Sequence, residues 1–261
     1  MSWWGKVIGG AFGFAMGGPL GAVLGAALGN YFDQGLDGIG PEGVGAGQSN
    51  ERVQTAFFTA VFSLMGYIAK VDGRVSRDEI SLAEQVMGQM QLRPEQRKLA
   101  IKLFEQGKQD AFPYEQVLEQ FRRECHRRRT LIQMFLEILT ATALADGRME
   151  ASERQVLESI AASLGYPKAA FEQLVSRLSA QFRFQDDARP ADRLRDAYKV
   201  LGVDSSADSA QVKRAYRKLM SQHHPDKLVS KGLPEEMMEM AKKKTQEIKS
   251  AYETIMSHRG E

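Results

Sequence analysis

From Val7 to Phe32 the chain carries no charged residue, with Lys6 before the run and Asp33 after it. As one helix these 26 residues would reach about 39 Å, enough to cross a hydrocarbon core of about 30 Å with tilt to spare. The run therefore predicts an N-terminal transmembrane anchor over residues 1–33. Gly5, Gly9, Gly13, Gly17, Gly21, Gly25 and Gly29 recur at every fourth position. Residues four apart share a helix face, so the glycines form a groove in which a second helix can approach to backbone contact. Self-association through the anchor is the expectation. Two other readings stay open. A secretory signal peptide needs a shorter apolar region and a more basic start, and Pro19 permits a kink or a re-entrant hairpin.

Residues 34–50 contain six glycines and one proline and read as a flexible linker. The remainder has room for one or two domains. The 35 Lys and Arg against 33 Asp and Glu leave a net charge of +2, which argues against a surface built to hold nucleic acid. A lone cysteine, Cys125, excludes an intrachain disulfide and a zinc site made of several thiolates, and suits a reducing compartment.

Residues 51–185 show apolar residues at three and four spacing, as in Phe58, Val61, Phe62 and Met65, or Leu131, Met134, Phe135 and Ile138. That pattern predicts an all-α domain. An internal repeat at an offset of 74 residues matches Asp72, Gly73, Arg74 and Glu79 with Asp146, Gly147, Arg148 and Glu153, which predicts two helical hairpins as pseudo-twofold halves. Each Asp-Gly suits a turn between helices, and Ser76 with Glu79 has capping-box spacing. The alternative is that Asp72, Glu79, Asp146 and Glu153 gather around a cation, although the alternating ligands of a calcium loop are missing. Arg122, Arg123, His126, Arg127, Arg128 and Arg129 form a basic patch. It is either a solvated helix end or a site for phosphates or an acidic partner. Cys125 lies within it, where positive neighbours can lower a thiol pKa; a structural thiol is the expectation. The domain resembles the tellurite-resistance TerB-like helical domain, in which the acidic positions are associated with metal.

After a short break at 186–192, residues 193–261 begin with a helix that ends at Gly202. Ser209 is the candidate N-cap of a basic helix in which Val212, Ala215, Tyr216 and Leu219 form a buried stripe, leaving Lys213, Arg214, Arg217 and Lys218 toward water. Four cations and no acid between Gln211 and His224 call for an acidic partner. Pro225 stops the helix, so His224 and Asp226 are expected on an exposed loop. A last helix carries Ile248, Ala251, Tyr252 and Ile255 on one face, able to pack antiparallel against the basic helix.

The ordered set Asp196, Tyr198, Leu201, Gly202, then Lys213 to Leu219, then His224, Pro225, Asp226, Lys227, and finally Ile248, Ala251 and Tyr252 resembles a J domain, the DnaJ-type co-chaperone module. The resemblance implies that His224, Pro225 and Asp226, with the basic face, engage a DnaK-type chaperone and stimulate its ATP hydrolysis. The stretch from Leu228 to Lys244 is longer than the common pattern, and no Gly/Phe-rich segment or cysteine-rich module follows. Anchor, TerB-like middle and J domain in this order are similar to membrane-anchored DnaJ-like co-chaperones. That similarity implies a single-pass bacterial inner-membrane protein with its C-terminal bulk in the cytoplasm, dimeric through the anchor, with no cofactor and no nucleic-acid partner. Two competing classes remain. One is a scaffold or sensor whose middle domain binds a cation or lipid and whose J domain is the output. The other is an enzyme centred on His223, His224 and Asp226, for which no further ligand or positioned base is legible.

Overall fold

The computed structural model describes residues 18–32, 46–71, 92–144, 149–185 and 190–260, with 84, 86–88 and 90 between them. All regular elements among them are helical. In chain order these are α1 (Gly18–Phe32), α2 (Ala46–Lys70), α3 (Pro94–Gly107), α4 (Tyr114–Glu124), α5 (Arg129–Ala143), α6 (Ala151–Ser163) and α7 (Lys168–Gln185). Then come α8 (Pro190–Leu201), α9 (Ser209–His223), α10 (Pro225–Ser230), a 3₁₀ turn at Glu235–Met237 and α11 (Met238–Arg259). Both expected linkers end early, because α2 takes in residues 46–50 and α8 takes in 190–192. Proline at the first helical position is already set for helix and lacks only an N–H that has no partner there.

Helix α2 is the axis of the middle domain. Ala56, Phe57, Ala60, Val61 and Leu64 are fully buried, and the ring of Phe57 lies 6.0 Å from Phe121 of α4 and 5.9 Å from Phe135 of α5. Phe121 and Phe135 are 4.2 Å apart, so three helices close on one aromatic cluster. Helices α2 and α3 touch through glycines. A Cβ at Gly66 would lie 1.9 Å from Phe104 O, and one at Gly107 would lie 1.8 Å from Ser63 O. Any side chain there forces the helices apart.

The expected anchor falls only in part on the described residues. Residues 7–17 lie outside the described residues; α1 runs from Gly18, whose φ of +65° is left-handed, to Phe32. Its 15 residues span about 22 Å, and among the described residues no helix is long and apolar enough to cross a membrane. Leu20, Val23, Leu24 and Ala27 are buried in the middle domain's core, and Leu20 N–H donates to Gln120 Oε1 at 2.8 Å. Gly5, Gly9, Gly13 and Gly17 lie outside the described residues. Gly21 is buried, whereas a Cβ at Gly25 would meet nothing within 4 Å.

A second core belongs to the C-terminal domain. Val212 and Leu219 of α9 pack with Ile248, Ala251 and Ile255 of α11 and with Ala197, Val200 and Leu201 of α8. Tyr216 stacks on Tyr252 at 4.3 Å. Gly202, at φ +68°, ends α8, with Val203 N–H returning to Tyr198 O, the bond pattern of a left-handed helix cap. Four residues of this domain do not join that core. Leu228, Leu233, Met237 and Ala241, all with no exposed surface, lie in the core of the middle domain. At about 1.5–3 kcal/mol per large apolar side chain withdrawn from water, they join the two domains firmly.

Candidate functional site

The site begins at the start of α9. Asp208, one residue before the expected Ser209, is the N-cap: its carboxylate accepts from Gln211 N–H at 2.7 Å, and Gln211 Oε1 accepts from Asp208 N–H at 2.9 Å. This reciprocal pair fixes the register of the helix. Lys213, Arg214, Arg217 and Lys218 are all exposed along one side, as their spacing requires once Val212 and Leu219 face inward. Lys218 also borders a crevice of about 520 Å³ between the domains, which Gln133, Tyr166 and Arg177 line from the other side.

The expected loop at His224 is instead a joint between two helices. His224 is extended (φ −60°, ψ 123°) and serves as the C-cap of α9 and the N-cap of α10, with Pro225 in the first turn. Leu228 N–H donates to His224 O at 3.1 Å. Proline ends one helix and opens the next. The His224 side chain is 49% exposed and that of Asp226 86%, with Nδ1 and Oδ2 4.0 Å apart. A pair so open to water contributes little to stability, so both side chains are available to a partner. Lys227 Nζ donates to Ser221 Oγ at 2.7 Å, tying α10 back to α9.

His223 and His224 face opposite environments. His223 is 2% exposed and lies 3.6 Å from Glu137 Oε1 of α5. Arg177 of α7 approaches the same oxygen at 3.5 Å, Gln133 Nε2 donates to it at 3.0 Å, and Lys244 of α11 bonds Gln181. Burial opposes ionisation of Glu137, but His223, Lys244, Arg177 and the Gln133 bond together hold its carboxyl down to about 2. Burial lowers the His223 pKa against the pull of Glu137. These groups form a polar seam between the domains. The split between the two histidines removes the enzyme reading, since His223 and His224 cannot serve one metal or acid-base centre.

Among the candidate cation ligands, Asp72, Glu79 and Asp146 lie outside the described residues. Glu153 Oε2 accepts from Glu150 N–H at 2.9 Å as part of a capping box, and no described cluster of His, Cys, Asp and Glu is arranged to hold a metal. Burial pushes the Cys125 thiol up to about 12, which outweighs the nearby Arg128. Cys125 is buried, in keeping with the expected structural thiol. Within the basic patch, Arg122, Arg123, His126, Arg127 and Arg129 are exposed, whereas Arg128 is half-buried and reaches the C-terminal domain. Its Nη1 donates to Lys231 O at 2.5 Å and to Asn50 Oδ1 at 2.9 Å.

Comparison with known proteins places these features. The family model of the Co-chaperone DjlA transmembrane domain matches residues 1–41, that of Tellurite resistance protein TerB matches 58–176, and that of the DnaJ domain matches 196–259. The Co-chaperone protein DjlA of Photobacterium profundum is 44% identical over 98% of this chain and 99% of its own. The chain belongs to the DjlA co-chaperone family. The DjlA proteins of Vibrio cholerae and Yersinia pestis are 45% and 42% identical, each over all of this chain and 99% of their own. No solved structure matches. As a DjlA-family member the protein is a membrane-anchored J-domain co-chaperone, which regulates a partner's ATPase and is not itself an enzyme. Its DnaJ domain implies a DnaK-type partner, and its transmembrane domain implies membrane association.

Proposed function

We propose that the protein recruits a DnaK-type chaperone to the cytoplasmic face of the bacterial inner membrane and stimulates its ATP hydrolysis there. His224, Pro225 and Asp226, with Lys213, Arg214, Arg217 and Lys218, are the docking residues in this reading. The observation that carries it is the exposed His224 and Asp226 pair at the end of an exposed basic helix. Residues 1–33 act as a single-pass anchor, the linkers of 34–50 and 186–192 are shortened by the starts of α2 and α8, 51–185 act as the TerB-like domain with its two pseudo-repeated halves, and 193–261 as the J domain. The glycine stripe pairs two anchors into a homodimer, consistent with the open face at Gly25. Tethering raises the concentration of the J domain near membrane clients. The test is His224→Gln in the full chain. An exposed residue at a helix joint contributes little to folding, so the variant should keep its helical content and thermal transition while stimulated ATP hydrolysis falls by roughly tenfold or more. A folded variant as active as wild type would refute the reading.

A further inference from the structure

Helix α10 holds Pro225 and Asp226 but has only six residues, too few for a helix to persist without outside support. Its supports come from the middle domain. Leu228 and Leu233 are sunk in that domain's core, Gln54 Nε2 reaches Leu233 O at 3.5 Å, and Lys231 Nζ donates to Thr130 Oγ1 at 2.7 Å. The main chain just past the end of α10 is held by Arg128, whose guanidinium donates to Lys231 O at 2.5 Å. A cation suits that end of a helix, where carbonyls are left without partners. Arg128 is aimed by an unusual backbone: Arg127, at φ +62°, is the one non-glycine residue with positive φ among the described residues. Strain of this kind persists where surrounding contacts require it. On the opposing side Gly232 has φ +97°, and a Cβ there would lie 2.6 Å from Arg128 Nη1 and 2.8 Å from Val53 Cγ1. Each side of the contact is shaped for the other.

We propose that Arg128 of the middle domain is a positioning residue for the partner-binding tripeptide: by clamping the Lys231–Gly232 turn it holds α10, and with it His224 to Asp226, in the conformation that the chaperone recognises. This rests on the co-chaperone reading above. The middle domain is then a working part of the J domain and not only a spacer. Arg128 acts on the tripeptide through the Lys231–Gly232 turn, so its loss lowers the fraction of molecules in the competent conformation. Apparent affinity falls in proportion to that fraction, while the maximal response is kept.

The experiment uses the full chain in lipid vesicles, comparing wild type, Arg128→Ala, Arg128→Lys and Gly232→Ala. Two quantities are read: amide hydrogen exchange over residues 225–233, and the ATPase rate of a DnaK-type chaperone as co-chaperone concentration rises. Both Arg128→Ala and Gly232→Ala should speed exchange over 225–233 by roughly tenfold, with residues 94–107 unchanged. Both should raise the half-maximal concentration roughly five- to tenfold without lowering the plateau. Arg128→Lys keeps a cation without the forked donor and should recover part of the loss. If Arg128→Ala fails to fold, Gly232→Ala decides. Faster exchange with an unchanged half-maximal concentration overturns the proposal, as does unchanged exchange. A wild-type protein that stimulates no ATP hydrolysis overturns the co-chaperone reading first; the exchange measurement, made without the partner, keeps the two failures apart.

Discussion

Adjacent histidines with opposite surroundings show how closely the seam and the proposed docking site are joined. His223 follows Leu219 by four residues and so continues the buried stripe of α9, while His224, one residue further, leaves the helix and meets water. Burial lowers the pKa of His223, so the unfolded chain takes up a proton near pH 6.5 that the folded chain refuses. Stability therefore falls as pH drops below about 6.5. Glu137 acts in the same direction at lower pH: its folded value of about 2 against an ordinary 4.5 supplies stability above pH 4.5 that is lost as pH falls toward 2. Melting curves of the full chain should show a transition that drops from pH 7.5 to 5.5, and His223→Gln should flatten that slope by up to one proton, about 1.4 kcal/mol per pH unit. An equal slope in the variant would place the titrating group elsewhere. The basic face calls for a different measurement. Reversing Arg217 and Lys218 to glutamate should slow association with the chaperone by roughly 10- to 100-fold at low salt. The deficit should shrink as salt rises, because screening hides the exposed charges; a deficit independent of salt would contradict a steering role.

Individual helices were legible where their periodicity was strong. The stripe of Val212, Tyr216 and Leu219 specifies α9 and places its four cations toward water, as the structure has them. Asp208 and Ser209 are both good caps, and only the glutamine three residues after Asp208 decides between them. Pro225 was readable as a stop, but the same ring geometry starts α10, so a loop was expected where two helices meet. The signal for the seam was present in Glu137, a charge within the apolar run of α5, yet periodicity names no partner. Likewise Leu228, Leu233 and Met237 announce burial without saying in which core. For α1 the ambiguity is physical: a charge-free helix is as compatible with a protein core as with lipid, so the run from Val7 to Phe32 does not itself choose between them. Gly25 allows a test at this scale, because its Cβ position is open. Gly25→Leu should leave intramolecular packing and membrane insertion intact while cutting crosslinked dimer in membranes several-fold, since a leucine blocks backbone approach. Undiminished crosslinking would remove the stripe as the dimer contact.

In the molecule as a whole, the anchor, the middle domain and the J domain are coupled in series. Helix α1 packs on α3 and α4, the same domain's α5 and α7 carry Glu137 and Arg177 to the seam, and Arg128 holds the turn after α10. A J domain so mounted presents His224 and Asp226 at a fixed place relative to the body that precedes it. The central claim is recruitment of a chaperone to the membrane through this site, and vesicle flotation measures it most directly. Purified full-length protein is inserted into vesicles, a DnaK-type chaperone and ATP are added, and the chaperone that floats with the lipid is quantified. Wild-type vesicles should carry the chaperone to the top of the gradient, whereas vesicles bearing equal amounts of folded His224→Gln should leave it at the bottom. Equal flotation with both proteins, or none with wild type, would contradict the account.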